Sequence, residues 1–434
     1  LQLIRSFLAY IALAAAILAF LPGMAWLGAG MVCLVVILGW RDMRRVPRAV
    51  FVVAGLALLY ALARDPDLIS PAAGNMSRLA GLILAVTLLS SVLSRTRDLQ
   101  QISVSLFNGN PVTRYLSLAF GTALVSVPLN FGSVAVVGSV VGERIRSQGD
   151  SPATRNATRA VLRGFGVSPT FSPLSISIVL TLTLLPGLGS LTLLLFTVPF
   201  AAALVLSGLI WFEPETPQSS ENSETKANLA PWLRFAALIL AICAGVFLLS
   251  HWYKLSYAYA VTLSCMGAVL GARLLAWCRK MNPPMVNMSH VSNELAIVGG
   301  SAFIGSVISG AVLGQISGDP NVPVWLWPVI AAGVPWVFFA AGLAGINPIV
   351  IGTLTGGILG VIWPVNAVLG LGIGMVVGWG VAAFGTPFAA NALIMERLTG
   401  YKAVDASLRW NLRLSLAGLV AASMLASAVT VVLL

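Results

Sequence analysis

Apolar residues fill the chain in blocks that approach or exceed the roughly 20 residues a helix needs to cross about 30 Å of hydrocarbon. Such blocks stand at 4–21, 24–40, 49–63 and 79–94. A longer one, 115–141, is interrupted by Pro128-Leu129-Asn130-Phe131-Gly132-Ser133. The next, 157–184, is interrupted by Ser168-Pro169-Thr170-Phe171-Ser172-Pro173 and precedes a block at 188–212. After the one clearly hydrophilic stretch, 213–230, blocks return at 231–250, 255–277 and 294–315. Then come 324–361, interrupted at Gly345-Ile346-Asn347-Pro348, and 366–395, interrupted at Phe384-Gly385-Thr386-Pro387, with a final block at 409–434. Backbone polar groups find no water in lipid, so these blocks predict helices, and the chain reads as an all-α polytopic membrane protein.

The pattern divides in two around 213–230, whose composition is that of a flexible solvated linker. With 1–22 set apart as a leading helix, 23–212 and 231–434 each contain plain spans, a re-entrant hairpin, a broken span and a closing span. Asn130 precedes Pro169 by the same spacing, within one residue, as Asn347 precedes Pro387. Interrupted segments at matching places in two halves point to a transporter's binding site.

Charge fixes the expected topology. If the hairpins 115–141 and 324–361 each enter and leave on one face, the chain crosses the membrane about 11 times. With the N-terminus in the cytoplasm, all of the 25 Lys and Arg residues except Arg64, Arg78 and Lys254 then fall on the cytoplasmic side, as basic loops should. Treating either hairpin as a single crossing destroys that asymmetry. The expectation is therefore a bacterial inner-membrane protein with two inverted repeats, a cytoplasmic linker and a periplasmic C-terminus. The first hairpin opens from the cytoplasm and the second from the periplasm.

Composition agrees. Hydrophobic residues make up 58% and charged residues 9%, with mean hydropathy +0.94, whereas a soluble domain carries about 25% charged residues. The net charge of +11 sits in short connections, which favours retention at a membrane face over nucleic-acid binding. Cys33, Cys243, Cys265 and Cys278 show no ligand-like spacing and read as packing residues. The first block has no A-x-A cleavage site and is read as a retained span. Trp40, Trp211, Trp232, Trp252, Trp277, Trp325, Trp327 and Trp410 fall at block ends, where interfacial anchoring is expected.

Chemistry is expected at the four interruptions, because broken helix at membrane depth leaves N–H and C=O groups free to meet a ligand. Candidate substrate-binding residues are Asn130, Gly132, Ser133, Asn347, Pro348, Thr386 and Pro387. Candidate ion-binding residues are Asn130, Ser133, Ser168, Thr170 and Ser172 on one side, with Asn347, Thr386 and Asn391 on the other. The 14 acidic residues and both histidines lie in loops or at block ends, Glu143, Glu294 and Glu396 coming nearest the hydrocarbon. Proton-driven carriers place titratable groups inside the bundle, so neutral oxygens favour Na+ as coupling ion. No catalytic residue, bound metal or cofactor is expected, and the longest connection on the periplasmic side, 64–78, is short for a membrane-embedded enzyme. Arg155, Arg159 and Arg163 recur on one helical face, read as lipid-headgroup anchors or else an anion-attracting vestibule. Phe131-Gly132-Ser133 precedes Glu143-Arg144 as Phe384-Gly385-Thr386 precedes Glu396-Arg397; this direct repeat conflicts with inversion and is read as coincidence.

The order of a leading helix followed by two inverted repeats resembles the ion-transporter superfamily, and in particular the divalent anion/sodium symporter family. The asparagines of Leu129-Asn130-Phe131-Gly132-Ser133 and Ile346-Asn347-Pro348-Ile349 match that family's tips, while the flanking Ser and Thr differ. Thr386-Pro387-Phe388-Ala389-Ala390-Asn391-Ala392 is close to its break. Gly132-Ser133-Val134-Ala135 and Ser172-Pro173-Leu174-Ser175-Ile176 are also similar to the membrane subunit of tripartite (TRAP) transporters. The resemblance implies elevator-type, usually sodium-coupled symport of a carboxylate or other oxyanion, and a homodimer. Alternatives are a TRAP-like subunit that needs a periplasmic binding protein, or a cation antiporter or exporter of the same fold.

Overall fold

A computed structural model describes residues 1–94, 96–107, 109–215, 229–280, 284–315 and 322–434. Arg95 and the linker core 216–228, with Lys226, lie outside the described residues. The described residues are almost entirely helical, and among them eleven helices are long and apolar enough to span a membrane. The chain is an all-α polytopic membrane protein.

The first helices are α1 (Gln2–Ile17), α2 (Met24–Leu38), α3 (Arg45–Arg64), α4 (Ile69–Leu93) and α5 (Arg97–Ser105). Next come the hairpin α6 (Pro111–Leu129) and α7 (Phe131–Gln148), then α8 (Pro152–Phe171), α9 (Ile176–Leu184) and α10 (Ser190–Ser207). The second half contains α11 (Ala230–His251), α12 (Tyr257–Cys278), α13 (Ser292–Gln315) and the hairpin α14 (Leu326–Leu343) and α15 (Pro348–Ile362). It closes with α16 (Val368–Gly385), α17 (Ala390–Thr399) and α18 (Leu412–Leu433).

All four expected interruptions are real gaps in helix. Two other expectations change. The eleven long apolar helices include the hairpin arms α6 and α14 but not α1 and α2, which have 16 and 15 residues. These two rise only about 24 and 23 Å, short of a 30 Å core. They pack as an antiparallel pair against α4, and Arg5 pairs with Asp42 at 2.7 Å across their outer ends. Helix α5 was not anticipated. It is nine residues long, with Leu99, Ile102 and the following Leu106 buried on one side, too few apolar positions to register as a block.

The helices form two groups. A scaffold contains α1–α4 and α11–α13, with α4 packed on α12 and α13. A core contains both hairpins, α8–α10 and α16–α18, with α8 crossing α16 at its centre. Each hairpin doubles back. The Arg144 guanidinium, near the end of α7, lies 5.1 Å over the Phe107 ring just before α6. Trp327 at the start of α14 meets Trp363 after α15, ring centroids 5.0 Å apart. Trp327 is thus buried in a hairpin clasp rather than placed as an interfacial anchor. The open end of the first hairpin adjoins the end of α17, where the Tyr401 hydroxyl meets Asp150 at 2.6 Å. That of the second adjoins the start of α16. Since α16 and α17 traverse the core between them, the hairpins enter from opposite ends.

Small residues set the spacing. A Cβ on Gly138 would meet Met395 and Leu398, and one on Gly142 would collide with the Leu398 carbonyl, so α7 lies directly on α17. On the far side Gly352 abuts Leu180, and Gly356 and Gly360 abut Leu184, so α15 lies directly on α9. Helices in lipid associate by such close packing, since burial of apolar surface supplies no drive there. Gly142→Val should therefore lower the melting temperature in detergent by several degrees. Gly30→Val, where an added Cβ meets nothing within 4 Å, should leave it unchanged.

Candidate functional site

The two broken spans are built alike, starting from proline. Pro173 and Pro387 lack N–H groups, so the carbonyls four residues back, of Pro169 and Ala383, lose their helical donors. Ser177 Oγ donates to Pro169 O, where Ser175 Oγ is a second donor at 3.2 Å, and Asn391 Nδ2 donates to Ala383 O at 2.9 Å. Both breaks have a donor four residues beyond the proline, Ser177 and Asn391. Beside them the helices cross through glycine: Gly166 faces Phe384, and Gly380 faces Thr170. The same interval of 214 positions (380 less 166) separates Gly166 from Gly380, Thr170 from Phe384, Pro173 from Pro387 and Ser177 from Asn391. It also separates the hairpin glycines Gly138 and Gly142 from Gly352 and Gly356. The sequence reading paired Pro169 with Pro387; the structural counterpart of Pro387 is Pro173.

The first tip turns at Asn130, with φ 48° and ψ −127°, a conformation that disfavours a Cβ. Ser133 donates to the Asn130 carbonyl at 2.7 Å and its hydroxyl lies 2.6 Å from that of Ser126. The Asn130 carboxamide is partly exposed and has no hydrogen-bond partner among the described residues. Phe131, stacked on Phe165 at 5.2 Å, places this tip against α8 one turn before Ser168. Gly132 approaches Ser90 of α4.

The second tip reverses through Gly345, at φ 75°, followed by Asn347, whose Oδ1 caps α15 by accepting from Ile349 N at 2.9 Å. Pro348 is the first residue of that helix. Gly342 packs against Thr386, and Gly345 against the Phe388 ring, so this tip rests on the break of its own half. Phe388 remains 58% exposed. Thr386 donates to Ala382 O at 2.8 Å, and Pro387 is buried beside it.

Ser168, Thr170 and Ser172 are buried in the first break. Thr170 donates to Val167 O at 2.6 Å and turns its methyl into the crossing. The hydroxyls of Ser172 and of Ser415, which adjoins Gly385, are buried with no partner among the described residues. Each tip therefore meets its own half's broken span, and the two breaks meet at the α8–α16 crossing. Sequence reasoning missed Ser90, Ser177 and Ser415, each set inside an apolar run. Among the described residues no cluster of His, Cys, Asp or Glu suits a metal ion.

The arginines at the open end of the first hairpin are engaged by acceptors of the protein itself. Arg155 pairs with Asp150 and Glu213, Arg159 with Glu213, and Arg114 with Glu215. Arg163 is 1% exposed. It donates to Asn411 Oδ1 at 2.7 Å, Tyr115 OH at 3.0 Å and Gly208 O at 2.9 Å. Asn411 in turn donates to Ala406 O within a single π-helical turn, 404–409. The triad ties α8 to the ends of α6 and α10 and to the start of α18.

Comparison with known proteins adds the following. No family model matches the sequence, and no curated protein does. Among solved structures, the crystal structure of the Alcanivorax borkumensis YdaH transporter, described as having an unusual topology, matches with a TM-score of 0.55. The alignment covers 88% of this chain and 98% of that one, at 13% sequence identity. The two chains share a fold.

The Asp150 carboxyl is held below its usual range by hydrogen bonds from Arg155 and Tyr401, and burial together with Asp150 pushes the Tyr401 hydroxyl up to about 12. A lowered acid stabilises the fold above its unfolded pKa of about 3.9 and loses that contribution as pH falls through the lowered value. Thermal stability should thus show no Asp150-dependent change from pH 5 to 8. The difference between wild type and Asp150→Asn should shrink only below about pH 4, as read by melting curves in detergent.

Proposed function

We propose that the chain is a secondary active transporter that carries a small organic or inorganic anion, a carboxylate or other oxyanion, by sodium-coupled symport. In this reading 23–212 and 231–434 are inverted repeats. The core moves past the scaffold in an elevator mechanism that exposes the tips alternately to each side of the bacterial inner membrane. The first hairpin opens to the cytoplasm and the second to the periplasm, which follows from the distribution of Lys and Arg.

The observation that carries this reading is the constant interval relating the two breaks, their repairing side chains and the glycines beneath them. Matching discontinuities in two halves are how known carriers build a site at mid-membrane. The fold shared with the Alcanivorax borkumensis YdaH transporter supports the same class. Half-helix ends at the tips offer partial positive charge to an anion, and freed carbonyls offer oxygen to a cation. The ligand set of Asn130, Ser133, Ser168 and Ser172 on one side, with Asn347, Thr386 and Asn391 on the other, is neutral. That favours Na+ over a proton, which needs a titratable acceptor.

Asn130 requires a chosen variant, because alanine would strain its backbone. Asn130→Gly keeps the turn and removes the carboxamide; Asn347→Ala removes the α15 cap. A thermal-shift screen against dicarboxylates, sulfonates and sulfate, with and without sodium, identifies the anion. Both variants should then lower sodium-driven uptake into proteoliposomes at least about tenfold, equivalent to about 1.4 kcal/mol of lost ligand binding, with unchanged protein yield and elution profile. Wild-type rates in both would overturn the site. Uptake only with an added binding protein would identify a TRAP-like subunit, and sodium-independent efflux an exporter.

A further inference from the structure

Two carbonyls of the first half are satisfied from outside the core. Leu129 O, the last acceptor of α6, loses its helical donor where the chain reverses at Asn130. It receives Ser90 Oγ of α4 at 3.1 Å. Pro173 O lies in the gap between α8 and α9, and it receives the hydroxyl of Tyr257, the first residue of α12, at 3.1 Å. Both donors belong to the scaffold, where α4 and α12 pack on each other. Tyr257 is 8% exposed, so water does not readily replace it.

The second half is arranged differently. At its tip Ile346 N donates to Ala341 O at 2.9 Å and Gly345 N to Gly342 O at 3.1 Å, so the turn satisfies itself. Its break is repaired by Asn391 from within the core. The scaffold hydroxyl that reaches the second hairpin, Ser309 Oγ, donates at 3.0 Å to Gly357 O, well inside α15 and away from the tip. Scaffold donors therefore engage tip and break carbonyls in one half and not in the other.

We propose that Ser90 and Tyr257 are positioning residues that clamp the first-half tip and break in this position of the core. When the core moves, they release Leu129 O and Pro173 O as cation ligands. The clamp rests on the proposed elevator movement of the core, and its release step also on cation coupling: a carbonyl that accepts a hydrogen bond from a hydroxyl presents less negative charge to a cation, so displacement from the scaffold raises cation affinity in the first half. The second half keeps one internal arrangement throughout.

The test separates the two steps. Leu195→Cys on α10 of the core and Leu274→Cys on α12 of the scaffold, both lipid-facing and exposed, carry spin labels in a chain whose four native cysteines are replaced by alanine. Distance distributions then report how often the core leaves this position. A net hydroxyl–carbonyl bond shifts such an equilibrium about fivefold. Ser90→Ala and Tyr257→Phe should each raise the ratio of displaced to clamped populations by about that factor, and the double variant by about 25-fold. Ser90→Thr, which keeps the donor, should restore the wild-type ratio. A single distance in the wild type and in every variant would overturn the elevator reading itself; two wild-type distances whose ratio both single variants leave unchanged would overturn the clamp, as would a Ser90→Thr ratio equal to that of Ser90→Ala. In proteoliposomes the same variants should lower the half-saturating sodium concentration. Altered distances with an unaltered sodium response would overturn the release step alone. A wild type indifferent to sodium would overturn the coupling ion while the distance ratios still decide the clamp.

Discussion

A carbonyl oxygen inside a bilayer has no water to accept from, and this constraint organises the molecule. Pro173 and Pro387 each remove one N–H from a membrane-spanning helix. Each would leave an unpaired acceptor, of Pro169 and Ala383, at a penalty of several kcal/mol in hydrocarbon. Ser177 and Asn391 answer it from the same place in each half. The replacement geometry needs the chain to leave the helix, turn, and begin a new one three residues beyond the proline, at Ile176 and Ala390, so that the second residue of the new helix supplies the donor. The break is therefore a stable shape with its own donor, and the halves of each broken span can point in different directions.

Close packing fixes where these breaks lie. Gly166 and Gly380 let α8 and α16 approach until Thr170 and Phe384 fill each other's gaps. The hairpin return arms do the same with Gly138 and Gly142 on α17, and Gly352 and Gly356 on α9. Each half's hairpin is thus seated on the far segment of the other half's broken span, while its tip reaches its own half's break. The two halves interlock. Strong polar contacts are kept to one end, where Arg114, Arg155 and Arg159 hold Glu213 and Glu215. They fasten the first residues of the linker to the core helices.

Much of this was legible in the sequence. Block lengths gave the helices, and Pro, Gly and Asn within apolar runs gave all four gaps, because those residues act on the backbone locally. Register between the halves was not legible. Pro169 looked like the counterpart of Pro387, yet Pro169 continues α8 while Pro173 breaks it, and which carbonyl is orphaned depends on where the chain turns. Ser177, Ser90 and Tyr257 carry no local signal: their importance comes from acceptors 8, 39 and 84 residues away. Arg163 was misread for the same reason, since its acceptors, Tyr115, Gly208 and Asn411, come from the ends of three other helices. Helix α5 escaped because nine residues with two or three buried positions fall below any block length.

The unpaired hydroxyls carry the site further than the paired ones. Ser172 and Ser415 are buried at the two breaks without partners, and a buried polar group left so costs about 1–3 kcal/mol. Buried hydroxyls without a partner also occur elsewhere among the described residues, as at Thr122, Ser301 and Thr353, but these two lie at the breaks, beside the repaired Pro169 O and Ala383 O. A ligand that supplies the missing bond recovers that penalty as binding energy, and an apolar molecule of the same size does not. On the proposed reading, the demands of the bilayer and of recognition meet in the same few atoms: gaps that must be satisfied for the helices to exist keep two hydroxyls, of Ser172 and Ser415, open to a polar ligand.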